Sequence, residues 1–262
     1  VDNVDVRTQK GLGVTQRLDA WWTMPALMAL GLLVFIVYMT WAALTPYAAD
    51  GTPLYKWGSY MAPTFSPLFN PNWLKALPFG LSSPAVLILW APAGFRATCY
   101  YFRKVYYRVV FLDPAACAVG ESRPNYSGEQ KFPFILQNLH RYFFYMAVLL
   151  VINHWFDFAK SFTMEGPKDY HVGMGTLISA TDTIFLTMYV GSCHAWRHIV
   201  GGSIDSFSTC PMGSFRHGAW CKVTKLNEKH GDWGWISMYT IIAADLYVRL
   251  LAMGVITDLR IF

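Results

Sequence analysis

Residues 21–44 read WWTMPALMALGLLVFIVYMTWAAL, twenty-four residues without a single charge. At 1.5 Å per residue a helix of that length reaches about 36 Å, more than the ~30 Å hydrocarbon core of a bilayer. Working outward, four further charge-poor runs follow. Ala76 to Phe95 carries no charge, and Pro78, Pro84 and Pro92 predict a helix that starts late, near Ser83. It is expected to continue through FRATCYYFRKVYYRVVF, where Arg96, Arg103, Lys104 and Arg108 alternate with aromatic residues as they do beside lipid headgroups. Phe132 to Phe158 contains only Arg141 and Asp157, Val172 to Trp196 only Asp182, and Gly234 to Thr257 only Asp245 and Arg249. These runs predict an all-α polytopic membrane protein: one domain over residues 1–262, five transmembrane helices in a bundle, with spans at about 21–44, 83–108, 133–158, 172–199 and 233–257.

Composition agrees. The chain is 54% hydrophobic and 14% charged, whereas soluble domains carry roughly a quarter charged residues. Nothing at its start reads as a removable signal. Cytoplasmic loops are enriched in lysine and arginine, and the segments sort cleanly. The N-terminal arm (Arg7, Lys10, Arg17), region 96–131 and loop 197–231 carry fourteen, against six for 45–75, 159–171 and the C-terminal part with Arg249 and Arg260. The N-terminus is therefore expected inside and the C-terminus outside. The formal charge of +5 is what such a bias produces, and nothing marks nucleic-acid binding. Segments 45–80 and 113–131 read as irregular connectors. No internal repeat and no GxGxxG fingerprint is legible.

The densest chemistry lies between residues 193 and 230, which hold three of the five cysteines and four of the seven histidines: CHAWRHIVGG, then CPMGSFRHGAWC, then LNEKHGDW. An odd number of cysteines packed beside histidines points to metal or free thiols rather than a disulfide framework. On a helix His194 and His198 share a face, close enough to hold a metal together, while Cys193 is turned about 100° away. Gly201 and Gly202 let the chain reverse, which makes Cys210, His217, Cys221 and His230 available as further ligands. Two cysteines and two histidines suit a structural zinc or a Rieske-type [2Fe-2S] cluster. A centre pressed against an apolar bundle is well placed to exchange electrons with a lipid-soluble quinone. With zinc instead, the chain reads as a transporter with a stapled loop. Packing cysteines and interfacial histidines are the plainest alternative.

Three other features need an account. His140 and His154 lie about 21 Å apart along one helix face, a spacing that suits two stacked haems, although no second helix offers a matching pair. His140, beside Gln137, Asn138 and Arg141, also suits a quinone headgroup, with Trp21 or Trp22 as an aromatic wall. An ionised carboxylate deep in lipid costs at least ~2.5 kcal/mol, so Asp245 is expected to pair with Arg249 four residues on, and Asp182 to be hydrogen-bonded or to serve a proton path.

The start of the third span (LHRYFFY), the CHxxRHxxGG end of the fourth and the LNEKHGDWGW…DLYVRLLAMGVITDLRIF close resemble the membrane-anchor subunit of succinate dehydrogenase. The likeness is to its single-chain, five-helix kind, which lacks haem and carries a membrane-embedded Rieske-type cluster. That resemblance covers roughly residues 20–262. It implies a prokaryotic plasma-membrane subunit that docks a flavoprotein and an iron–sulfur subunit and passes electrons from succinate to menaquinone. Neither flavin nor dicarboxylate chemistry is encoded here. As cluster ligands it implies Cys193, His194 or His198, then Cys210, whose CPMG resembles a cysteine turn, and His230, ahead of Cys221 and His217. A haem b anchor of the same enzyme class is the alternative within the resemblance.

Overall fold

The computed structural model describes residues 11–76, 82–121, 130–132, 134–163 and 170–261. Arg7, Lys10, Pro78, Arg123, Pro133 and Lys168, which entered the expectations above, lie outside them. Among the described residues three helices are long and apolar enough to cross a membrane: Thr23–Leu44, Phe134–Lys160 and His230–Ala252. In chain order the elements are α1 (Thr23–Leu44), a hairpin of β1 (Lys56–Trp57) and β2 (Tyr60–Met61), α2 (Val86–Ala97), α3 (Tyr100–Tyr106), α4 (His140–Lys160), α5 (Met174–Gly191), α6 (His194–Arg197), α7 (Gly213–Glu228) and α8 (His230–Ala252).

Three expectations are corrected. The second span is not one helix: it stops at Ala97 and restarts at Tyr100, and Cys99 between them is extended (φ −67°, ψ 132°). The fourth breaks in the same way after Gly191, with Cys193 extended (φ −65°, ψ 143°), so Cys193 is not on the helix that carries His194. The polar connector after Gly202 holds a sixteen-residue helix, α7. Of segment 45–80, the described residues 45–76 are largely irregular but form the β1–β2 hairpin, in register Lys56 to Met61 and Trp57 to Tyr60.

The described residues divide into two compact units, Val1–Ile36 with Arg96–His140, and Val37–Phe95 with Arg141–Phe262. In the first, the arm before α1 pairs with a loop: Gly13 N–H donates to Gly120 C=O at 3.0 Å and Gly120 N–H to Val14 C=O at 2.8 Å. Two of the arginines expected among aromatics, Arg96 and Arg103, lie over them. The Arg96 guanidinium sits 5.7 Å from the Phe35 ring and 5.6 Å from Phe102, and Arg103 sits 4.7 Å from Tyr100, cation–π contacts that keep the charge while covering apolar surface.

In the second unit α8 packs along α5. Its buried positions include Gly234, Ser237, Met238, Ala244, Asp245, Val248 and Arg249, a helical face. The hairpin segment folds onto the later half of α8, where Tyr55, Tyr60, Ala62, Phe65, Val248 and Leu251 form a core with Ala43 and Ala85. Many other apolar side chains point outward. On α4 only Phe144 and Ala147 are buried, whereas Leu149, Ile152 and Phe156 are exposed, which suits a helix whose solvent is lipid. Gly94 sets one close approach: a Cβ there would stand 2.2 Å from the Phe143 ring. Gly94→Ala is expected to lower the thermal stability of the detergent-purified protein by about 1–3 kcal/mol, the usual cost of overpacking.

Asp245 and Arg249 pair as expected, at 2.7 Å and with both side chains fully buried. The guanidinium also donates to the carbonyls of Ala42 (2.5 Å) and Thr45 (2.8 Å), satisfying carbonyls that the end of α1 leaves open. Tyr38 OH donates at 2.8 Å to Asp245 Oδ2, the same oxygen that accepts from Arg249 Nε. What four-residue spacing shows as a local pair is the joint that fixes α1 to α8.

The C-terminal tail returns to the start of α5, with Met174 N–H donating to Leu259 C=O at 2.9 Å and Ile261 N–H to Val172 C=O at 2.8 Å. There Asp258 acts as a remote cap, accepting from Gly175 N–H at 3.0 Å, where a helix start favours negative charge. Tyr60 OH and Tyr247 OH donate to the same carboxylate at 2.8 and 2.6 Å, and His171 Nε2 lies 3.0 Å away. Burial pushes the Asp258 carboxyl up, but these hydrogen bonds outweigh it and hold its pKa below the ordinary 3.8. Burial pushes the Tyr60 hydroxyl up to about 12, so it stays a donor. A carboxyl with a depressed folded pKa gives stability that is complete above its unfolded value and is lost as pH falls through the folded one. Acid unfolding below about pH 4 should therefore be shallower in Asp258→Asn than in the parent chain.

Candidate functional site

The break at Ser192–Cys193 is held by groups from α7 and α8. Asn227 Nδ2 donates to Ser192 C=O at 2.7 Å, and Ser192 Oγ and His230 Nδ1 stand 2.7 Å apart. The His230 ring stacks on Tyr189, centroid to centroid 4.9 Å. Cys193 is fully buried and His230 is 1% exposed, and Ala195 N–H donates to Cys193 Sγ at 3.4 Å. A buried thiol and an imidazole with its Nδ1 fixed by a hydroxyl are thus brought to the same step of the chain.

The first unit contains the same device by itself. Cys99, 1% exposed, follows Thr98 at the break before α3, and Thr98 Oγ1 stands 3.0 Å from Nδ1 of His140, the first residue of α4. Gln137, three residues before that histidine, donates to Ala97 C=O at 3.2 Å. Asn227, three residues before His230, donates to Ser192 C=O. The two cysteines share their backbone conformation to within about ten degrees. Cys99 stands alone in the sequence, away from the 193–230 cluster. The legible signal was the recurrence of a hydroxyl residue before cysteine and an amide three residues before histidine.

The remaining expected residues are placed differently. His194 and His198 lie on α6 and the π-helical turn after it, and both are exposed. Cys210 lies beside Arg216, whose Nη1 donates to its sulfur at 3.4 Å while the same guanidinium donates to the carbonyls of Ile199 and Val200. Cys221 and His217 face each other across one turn of α7 at 3.7 Å. Among the described residues no three His, Cys, Asp or Glu side chains stand together as a metal-holding group. The donor types, a buried thiol and an imidazole held at Nδ1, suit a mixed thiolate–imidazole centre. Of the residues expected at quinone, His140 is turned to Thr98, Arg141 is exposed, and Trp21 lies half-buried just before α1.

At the other end of the second unit, a small cavity lies between α4, α5 and α8, lined by His154, Asp157, Ser179, Asp182, Tyr60 and Tyr247 among others. Asp182 is buried on the α5 face that meets α8 and accepts from Thr240 Oγ1 at 2.9 Å.

The family profile of the actinobacterial succinate dehydrogenase subunit SdhC matches residues 23–254. A chain of the Mycobacterium smegmatis Sdh1 complex in the apo form superposes with a TM-score of 0.80 at 37% identity, over 95% of this chain and 94% of that one. No curated protein matches. A profile spanning nearly the whole described chain and a fold shared at that identity lead to one conclusion: the chain belongs to the actinobacterial succinate dehydrogenase SdhC family, the membrane subunit of that enzyme.

Proposed function

We propose that the chain is the membrane-anchor and quinone-reducing subunit of a succinate:quinone oxidoreductase, docking a flavoprotein and an iron–sulfur subunit and delivering electrons from succinate to menaquinone. The observation that carries this reading is the likeness to a chain of the Sdh1 complex over 95% of the length. Five crossings of a prokaryotic plasma membrane, N-terminus inside, are supported by three long apolar helices and by the lysine and arginine bias. The eighteen-residue α5 adds about 27 Å of helix, nearly the ~30 Å of a bilayer core.

For a [2Fe-2S] cluster of the mixed thiolate–imidazole kind, the support is the buried Cys193 beside His230. A ligand histidine is normally oriented by a partner on its other ring nitrogen, and Ser192 holds Nδ1 of His230, so this ring would bind iron through Nε2. The motif of Cys99 and His140 offers the same setting in the first unit. His194, His198 and Cys210 are second candidates: two are exposed, and the third sits on Arg216. Bound there, such a cluster supplies a one-electron carrier of raised potential. Trp21 and Arg141 are individual candidates for quinone contact; His140, turned to Thr98, suits the ligand role better.

Affinity purification through a tag on this chain tests the reading. A flavoprotein and an iron–sulfur subunit are expected to co-elute and to give the eluate succinate dehydrogenase activity. A chain that elutes alone with stoichiometric zinc would favour a transporter with a zinc-stapled loop.

A further inference from the structure

The end of the second unit farthest from Cys193 holds more buried polar chemistry than packing requires. α4 runs toward this end and α5 runs away from it, so the cavity lined by His154, Asp157 and Asp182 lies between the solvent-facing helix ends and the middle of α5. Two hydrogen-bonded sets reach its lining, one through Asp157 and the other through Tyr60 and Tyr247. In one, Asn153 Nδ2 and Asp157 Oδ2 both engage Ser66 Oγ, and Asp157 reaches Lys160 at 3.8 Å; its side chain is 17% exposed and that of the lysine 71%. In the other, Asp258 gathers Tyr60, Tyr247 and His171, and Tyr60 OH continues to Thr176 Oγ1 at 3.2 Å. Asp182, with Thr240 on its carboxylate, closes the inner side. The cavity measures about 20 Å3. That admits a water but no larger ligand, and its polar lining would hold one.

We infer that this line of groups is a proton entry path: a proton taken from solvent at Asp157 crosses by His154 and cavity water to Asp182 at the middle of α5. Each group that accepts a proton gives one to the next, and no electron moves along the line. The final acceptor is reduced quinone, which takes up two protons with its two electrons; in that respect the inference rests on the quinone-reducing function proposed above. Carboxylates and histidines placed along a span are how membrane proteins relay protons. A purely structural network would need neither the water-sized gap nor a partly exposed carboxylate at Asp157.

Infrared difference spectra of the purified complex, transferred from H2O to D2O, test the path without turnover. Asp182→Asn identifies the Asp182 carboxyl band. In the parent complex that band is expected to shift at once on mixing. Ser179→Leu, which fills the cavity and leaves both hydrogen-bonded sets intact, should slow the shift by about tenfold or more, because exchange then waits for local opening. Asp157→Asn gives the same reading if the leucine variant fails to assemble. Absence of an Asp182 carboxyl band, exchange as slow as that of the buried amides of α5, or a rate unchanged by both substitutions would overturn the inference. A complex that oxidises no succinate would sink the proposed function and leave these spectra readable.

Discussion

Replacing Arg249 by methionine is expected to destabilise the chain by about 3–5 kcal/mol, the range found when one partner of a buried ion pair is removed. Asp245 would be left fully buried with Tyr38 as its remaining donor, and the carbonyls of Ala42 and Thr45 would lose the guanidinium they accept from. Thermal unfolding of the purified complex reads the effect. The double variant Asp245→Leu/Arg249→Met should recover part of the loss, since a buried pair exchanged for apolar residues is often neutral. It should still fall short of the parent by about 1–3 kcal/mol, because the α1 carbonyls remain without a donor. Full recovery would show that the pair serves only itself and does not join α1 to α8.

Cys193→Ser is expected to remove about two irons and two acid-labile sulfides per complex, the content of one [2Fe-2S] cluster. In the proposed assembly, any iron held by partner subunits should be unaffected. Cys99→Ser tests the corresponding motif of the first unit by itself, a thiol buried at a helix break beside a histidine held at Nδ1, and a loss there would make that motif a ligand setting in its own right. Cys210→Ser should keep the full content, since its sulfur lies against Arg216. Iron and sulfide assays read all three variants. Loss with Cys210→Ser and retention with Cys193→Ser would return the ligand set to the polar segment before α7.

What the sequence made legible was governed by local periodicity. α1, α4 and α8 follow from their charge-poor runs, and the Asp245–Arg249 pair from spacing on one helix. The breaks at Cys99 and Cys193 leave little local signature: no glycine or proline stands beside the first, and the single Gly191 before the second reads like a glycine inside an apolar helix. Each is held open by a distant amide, Gln137 or Asn227, and by a histidine that begins another helix. α7 was read as a connector because GSFRHGAWCKVTKLNE shows little apolar periodicity; it is held instead by polar contacts such as Arg197 Nε to Thr224 Oγ1 at 2.9 Å and by Arg197 over the Trp220 ring at 4.7 Å. The hairpin was within reach, since Gly58–Ser59 between KW and YM is a two-residue turn signal. The cap that Asp258 places on α5 joins positions 83 residues apart, and no local pattern announces such a contact.

The central claim is that this chain gives the enzyme its access to quinone, and one comparison tests it directly. Succinate-driven reduction of a menaquinone analogue is measured in the intact complex and in the soluble partner subunits after this chain has been stripped away. The account predicts that the stripped subunits still reduce a water-soluble dye but lose quinone reduction, and that adding the chain back restores it. A quinone rate that is the same with and without the chain would contradict the account.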